Sequence, residues 1–153
     1  MYAPPKSNVR SDNKGASPAL LYSPAQVGVG TFIGGPFAAI YFLKSNFDAL
    51  DKGDLSRRVM IIGGIFSCVF LAALPFFPEN IPNNVIPMLY LIPVMLTVRK
   101  LQPTKKEIED SEVFGFQSSW KVFGVSLLWM LLFFAISVGV MLSLENFGVI
   151  SLA

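Results

Sequence analysis

Gln26 to Leu43 reads QVGVGTFIGGPFAAIYFL, eighteen residues without a charge. At a helical rise of about 1.5 Å per residue the run extends roughly 27 Å, close to a bilayer's hydrocarbon thickness of about 30 Å. Two further runs share the property. Val59 to Phe77 (VMIIGGIFSCVFLAALPFF) has 19 uncharged residues, and Val122 to Leu144 (VFGVSLLWMLLFFAISVGVMLSL) has 23. A soluble buried helix of such length carries a polar stripe, and these carry none. All three runs predict transmembrane helices. A fourth, Ile81 to Val98 (IPNNVIPMLYLIPVMLTV), is interrupted by Pro82, Pro87 and Pro93. Its clean part from Val85 onward covers only about 21 Å as a helix, so it reads as a short, Pro-kinked span or as a re-entrant segment. The expected fold class is all-α, a polytopic membrane helical bundle of four transmembrane helices. The spans are 26–43, 59–77, 81–98 and 122–144, in a single domain over 23–153.

The composition of the 153-residue chain agrees. Hydrophobic residues make up 53% and charged residues only 14%, against about 25% charged in soluble domains. With no His there is no imidazole base and no His-built metal or haem site. The single Cys, Cys68, forms no intrachain disulfide or CxxC pair and reads as a small buried hydrophobe. A net charge of +2 is too small and too scattered for nucleic-acid binding.

The charges are placed informatively. The tail carries Lys6, Arg10 and Lys14, the loop 44–58 carries Lys44, Lys52, Arg57 and Arg58, and the loop 99–121 carries Arg99, Lys100, Lys105, Lys106 and Lys121. With four spans, the two loops share a side and hold nine of the twelve basic residues, so the positive-inside rule makes them cytoplasmic and both termini non-cytoplasmic. If the first run failed to cross, only the tail would change sides. Residues 1–22, rich in Pro, Ser, Asn and Lys, are expected to be a disordered tail. The late, long apolar run that follows reads as a retained anchor rather than a cleavable signal.

The loops have local logic. Asn46 to Gly53 is expected to form a short helical turn stopped by Gly53, with Asp54 capping the second span. Asp48, Asp51 and Asp54 would then partly share one solvated face. Thr104 and Glu107 fit a capping box, followed by acidic residues within reach of Lys105 and Lys106. Ile108, Val113, Phe114 and Phe116 continue this into an interfacial helix. Trp120 and Lys121 are candidate interface anchors, ring at headgroup level and ammonium snorkelled outward.

Inside the runs, small and helix-breaking residues stand out. Gly30 and Gly34 form a GxxxG pair, and Gly63 and Gly64 sit together in the second run; such residues let helices approach closely in lipid. Gly34-Gly35-Pro36 predicts a kink or a locally opened helix. Gly30, Gly34, Gly35, Pro36, Gly63, Gly64, Pro87 and Pro93 are therefore the candidate helix-packing or hinge residues. No Asp, Glu, Lys or Arg lies within a run, so the embedded carboxylate of proton-coupled transporters is missing. No catalytic, cofactor-binding or metal-binding residues are expected. Ser126, five residues beyond Lys121, is poorly placed for a Ser–Lys pair.

Ser23-Pro24-Ala-Gln26-Val27, leading into Thr31-Phe32-Ile-Gly34-Gly35-Pro36-Phe-Ala38, resembles the opening of small, uncharacterised bacterial inner-membrane proteins. The resemblance covers about residues 23–38. It implies a bacterial inner (cytoplasmic) membrane location and no activity. The reading is a non-enzymatic accessory or structural component of a membrane assembly. Its partners would be membrane lipid and a protein partner or second copy on the small-residue faces. The alternative is a small pore or transport element using the broken first and third runs, with Thr31, Asn83, Asn84 and Tyr90 along a polar path.

Overall fold

A computed structural model of the chain describes residues 18–78, 80–82 and 84–149. The expected disorder of residues 1–17, the position of Asn83 and the last four residues lie outside these. The described elements are β1 (Ala19–Leu21), α1 (Pro24–Ala49), α2 (Gly53–Ala73) with a 3-10 turn at Leu74–Phe76, α3 (Val85–Leu101), α4 (Lys105–Glu109), β2 (Phe114–Phe116) and α5 (Ser119–Asn146). The protein is mostly helical, and three of its helices, Pro24–Ala49, Gly53–Phe76 and Ser119–Asn146, are long and apolar enough to cross a membrane. At 17 residues α3 sits at the lower limit of a spanning helix.

The first of these three is not straight. Gly35 breaks α1 with φ 73° and ψ −166°, a region essentially closed to residues with a Cβ, and Pro36 follows without an N–H to donate. The break is a reversal rather than a bend. A straight helix would hold Tyr22 and Asn46 roughly 36 Å apart. Instead the Tyr22 N–H donates to Asn46 Oδ1 at 2.8 Å, and the Phe42 ring lies where a Cβ on Gly30 would stand. Pro24–Ala49 is therefore a helical hairpin, two antiparallel half-helices with Gly35 at the tip.

The other helices pack around this hairpin rather than on one another. α1 makes the extensive contacts with α2, α3 and α5. Gly34 lies so close to α5 that a Cβ there would come within 2.9 Å of the Ser126 carbonyl oxygen. Phe37 stacks on Trp129, and Tyr90, Val94 and Val98 turn one stripe of α3 inward at four-residue spacing. The buried cluster joins Tyr22, Val27, Ala38, Phe42, Phe47, Val94, Val98 and Val122.

One end of the bundle is tied by side chains. Asn46, 1% exposed, accepts from the Tyr22 N–H and donates through Nδ2 to the Tyr22 carbonyl at 2.8 Å and to Gln102 Oε1 at 2.9 Å. Lys52 Nζ donates to the Leu101 carbonyl at the end of α3. Ala19–Leu21 pairs in parallel with Phe114–Phe116, and Gln26 donates to the Gln117 carbonyl. Burial pushes the Tyr22 phenol up from its ordinary pKa, and the neighbouring Tyr41 adds to the shift.

Several expectations change. The fold is not purely helical, because β1 and β2 form a two-stranded sheet. Residues 19–22, expected to be disordered, are ordered: Ala19–Leu21 form β1, and Leu21 and Tyr22 are buried. The segment that doubles back is the first, whereas α3 runs as one helix through Pro93. Four crossings would set residues 18–22 on the opposite side from the loops 44–58 and 99–121; the hydrogen bonds above hold all three at one end. Helix α1 continues to Ala49 and ends where Asp51 takes a left-handed φ of 54°, and Gly53 opens α2 rather than stopping a turn. Lys52, not Asp54, occupies the cap position, and Asp48, Asp51 and Asp54 are divided among a helix, a turn and the next helix. Cys68 faces outward. The Thr104–Glu107 capping box and the Lys105–Glu109 pair form as expected. The Thr104 backbone N–H and hydroxyl hold the Glu107 carboxyl below its ordinary pKa.

Replacing Asn46 by Leu leaves the Tyr22 N–H, the Tyr22 carbonyl and Gln102 Oε1 without their partner. We expect a loss of at least about 3 kcal/mol, at about 1–3 kcal/mol per stranded group. Unfolding in mild detergent measures it against Leu128→Ala, which trims an outward-facing side chain. Equal effects of the two variants would show that the amide ties nothing.

Candidate functional site

The returning half of the hairpin forms the floor of a cavity of about 440 Å³ whose walls are α2 and α3. Helical spacing explains the lining. Pro36, Ala39, Ile40, Leu43 and Phe47 follow one face of the half-helix, and Tyr90, Pro93, Val94, Thr97 and Leu101 follow the matching face of α3. From α2 come Leu55, Val59, Ile62 and Phe66 along one stripe, with Arg58, Gly63 and Ser67 beside it. α2 and α3 scarcely touch along most of their length. They meet near the end away from the loops, where Phe70 and Tyr90 rings lie 5.7 Å apart edge to face.

The wall is apolar with few exceptions. Arg58 is the one ionisable group on it apart from the Tyr90 phenol, and among the described residues no carboxylate pairs with it. The Ser67 hydroxyl, 1% exposed, has no partner among the described residues. Thr97 donates to the Pro93 carbonyl four residues back in its own helix, at 2.8 Å.

The sequence-derived candidates divide between this site and the hairpin's packing. Pro36 and Pro93 line the cavity, and Gly63 borders it where Ile40 approaches. Gly35 forms the tip, against the Phe133 ring. Gly30 admits Phe42, and Gly34 admits α5. Gly64 meets nothing within 4 Å, and Pro87 stands in the first turn of α3, off the cavity. Trp120, 84% exposed, and Lys121 open α5 at the end where the loops gather.

Of the pore alternative's polar residues, the described ones, Thr31, Asn84 and Tyr90, do not gather in one place. Tyr90 reaches the cavity, while Thr31 is buried elsewhere in α1 with an unpartnered hydroxyl, and Asn84 precedes α3 in the far turn. The α5 hydroxyls are engaged by their own helix: Ser126, Ser137 and Ser143 each donate to the carbonyl four residues back. Among the described residues no three Cys, Asp or Glu side chains gather as a metal site.

Asn46 and Arg58 are the residues that sequence reasoning passed over. Asn46 had a signal: with Phe42, Leu43 and Phe47 it continues a buried helical stripe past Lys44, where a polar residue demands partners. Arg58 was read only as a loop charge, although it lies one turn inside α2.

The paired glycines of α2 give a test. A side chain at Gly63 starts 2.6 Å from Ile40 Cγ1, whereas Gly64 is open. Gly63→Leu is expected to destabilise the protein by about 1–3 kcal/mol more than Gly64→Leu, the usual cost of overpacking. The two share a helix, so propensity cancels in comparing their unfolding midpoints. Equal midpoints would remove the close approach of α1 and α2. Comparison with protein-family models, with curated proteins and with solved structures finds no match.

Proposed function

We propose that the chain is a non-catalytic integral component of a bacterial inner-membrane assembly, threaded by α2, α3 and α5 while α1 enters and leaves from one side. The observation that carries this reading is the reversal at Gly35, with Tyr22, Asn46 and Gln102 bonded together at the open end of the hairpin. Charge supports the same threading. Among the described residues all nine Lys and Arg belong to the loop end, and Glu145 is the charge near the other. The positive-inside rule then makes the loop side cytoplasmic and the end after α5 external. Four crossings would strand three basic residues outside.

The component role rests on what the helices leave uncovered. In the apolar stretches of α2 and α5 only 17% and 6% of the residues are buried within the chain, against 56% in α1. Their outer faces present Ile61, Ile65, Val69, Leu128, Leu131 and Phe134 to lipid or to a partner helix. Pro36 and Tyr90 share a cavity, but its leucine, isoleucine and phenylalanine walls offer an ion no replacement for its hydration.

Reporter fusions test the threading. A reporter active in the cytoplasm should work at the N-terminus, and one active outside should work at the C-terminus. An external N-terminus would restore the four-crossing arrangement and overturn this one. Affinity purification from native membranes in mild detergent should recover a second protein at fixed stoichiometry. Consistent recovery of the chain alone would count against the component role.

A further inference from the structure

The cavity combines three properties that rarely coincide on an ordinary lipid-facing surface. It opens sideways between α2 and α3, which hardly touch until Phe70 meets Tyr90. Its depth from Leu101 to Tyr90, eleven residues of α3, is about 16 Å, close to one leaflet's half of a roughly 30 Å hydrocarbon core. Its open end carries a guanidinium, Arg58, without a carboxylate partner among the described residues, at the level where α2 emerges from the loop side. Arg57, Lys52, Arg99 and Lys100 are exposed at the same end. A purely apolar occupant would leave Arg58 without a counter-charge, and a soluble anion would leave the apolar slot unfilled.

We propose that this cavity holds one anionic phospholipid of the cytoplasmic leaflet, its phosphate on Arg58 and one acyl chain lying along Leu43, Val59, Val94 and Thr97. Arg presents a planar fork of donors that matches phosphate geometry, and a zwitterionic lipid places an ammonium of its own beside that phosphate. The chain end meets the Phe70–Tyr90 contact, which closes the slot at about mid-bilayer. The half-helix returning from Gly35 forms the floor. A bound lipid thus takes the place of direct packing between α2 and α3.

The inference rests on the cytoplasmic placement of the loops, which the reporter fusions read independently of any lipid. The test is native mass spectrometry of the full chain taken from vesicles of equal phosphatidylglycerol and phosphatidylcholine with matched chains. Phosphatidylglycerol should be retained about tenfold over phosphatidylcholine, one molecule per chain, as expected for one charge-assisted contact. Arg58→Gln should bring the ratio to parity, and Arg57→Gln should leave it unchanged. Thr97→Phe, which fills the slot from α3, should lower retention of both lipids several-fold. Equal retention by the unmodified protein, no retained lipid, or an undiminished ratio in Arg58→Gln would overturn the site. Equal losses in the Arg57 and Arg58 variants would assign the preference to general surface charge and overturn it too. Arg58 is exposed, so its variant is expected to fold, and it decides the matter even if Thr97→Phe does not.

Discussion

The architecture depends on a buried amide. Asn46 sits among Phe42, Phe47 and Tyr22, where an unpaired polar group costs about 1–3 kcal/mol, and three hydrogen bonds remove that cost. Those bonds join the start of α1, its end and the end of α3, which are far apart in sequence. The reversal at Gly35 gives up helical hydrogen bonds and takes a backbone conformation open only to glycine. It therefore needs compensation at the open end of the hairpin. The Tyr22–Phe42 contact, rings 4.9 Å apart, adds apolar burial at the same place.

A broken helix in a membrane must be covered by protein, because lipid satisfies no free carbonyl or amide. This explains the burial gradient. In the hairpin's apolar stretch 56% of the residues are buried, against 17% and 6% in α2 and α5, whose backbones are unbroken. Phe133 lies over Gly35, and Gly34 lets the α5 backbone close against the tip. The small residues of the first run thus pack a hairpin inside one chain. A seam between copies is not needed to account for Gly30 or Gly34.

Much of this was legible in the sequence, and the main error was one of distance. The uncharged runs, the Gly-Gly-Pro break and the capping box at Thr104 all read correctly in kind. Eighteen uncharged residues fit one crossing, but they equally fit two half-helices of about 13 Å each, and hydropathy does not distinguish the two. Only the partners of Asn46 do, and those lie at Tyr22 and Gln102. The strands were hidden for a related reason. Three residues before α1 and three after α4 have no period of their own, and their pairing spans ninety-five positions. Cys68 shows the limit of burial reasoning in lipid: an apolar side chain faces outward there at no cost, so hydrophobicity does not select an inner face.

The cavity follows from the same hairpin. Its returning half stands between α2 and α3 and holds them apart, so each packs on α1 and neither closes on the other. Phe47 and Leu43 at the loop end are too bulky for the helices to collapse around, while Gly63 admits Ile40 and draws α2 inward farther along. The outcome is a slot wide at the Arg58 end and shut at Phe70–Tyr90. A channel through the protein would need polar groups along its length, yet two of the residues the sequence offered for it lie off the cavity, Thr31 buried in the hairpin's packing and Asn84 in the far turn. A slot with an apolar depth and one cation at its mouth instead matches an amphiphile, charged head outward.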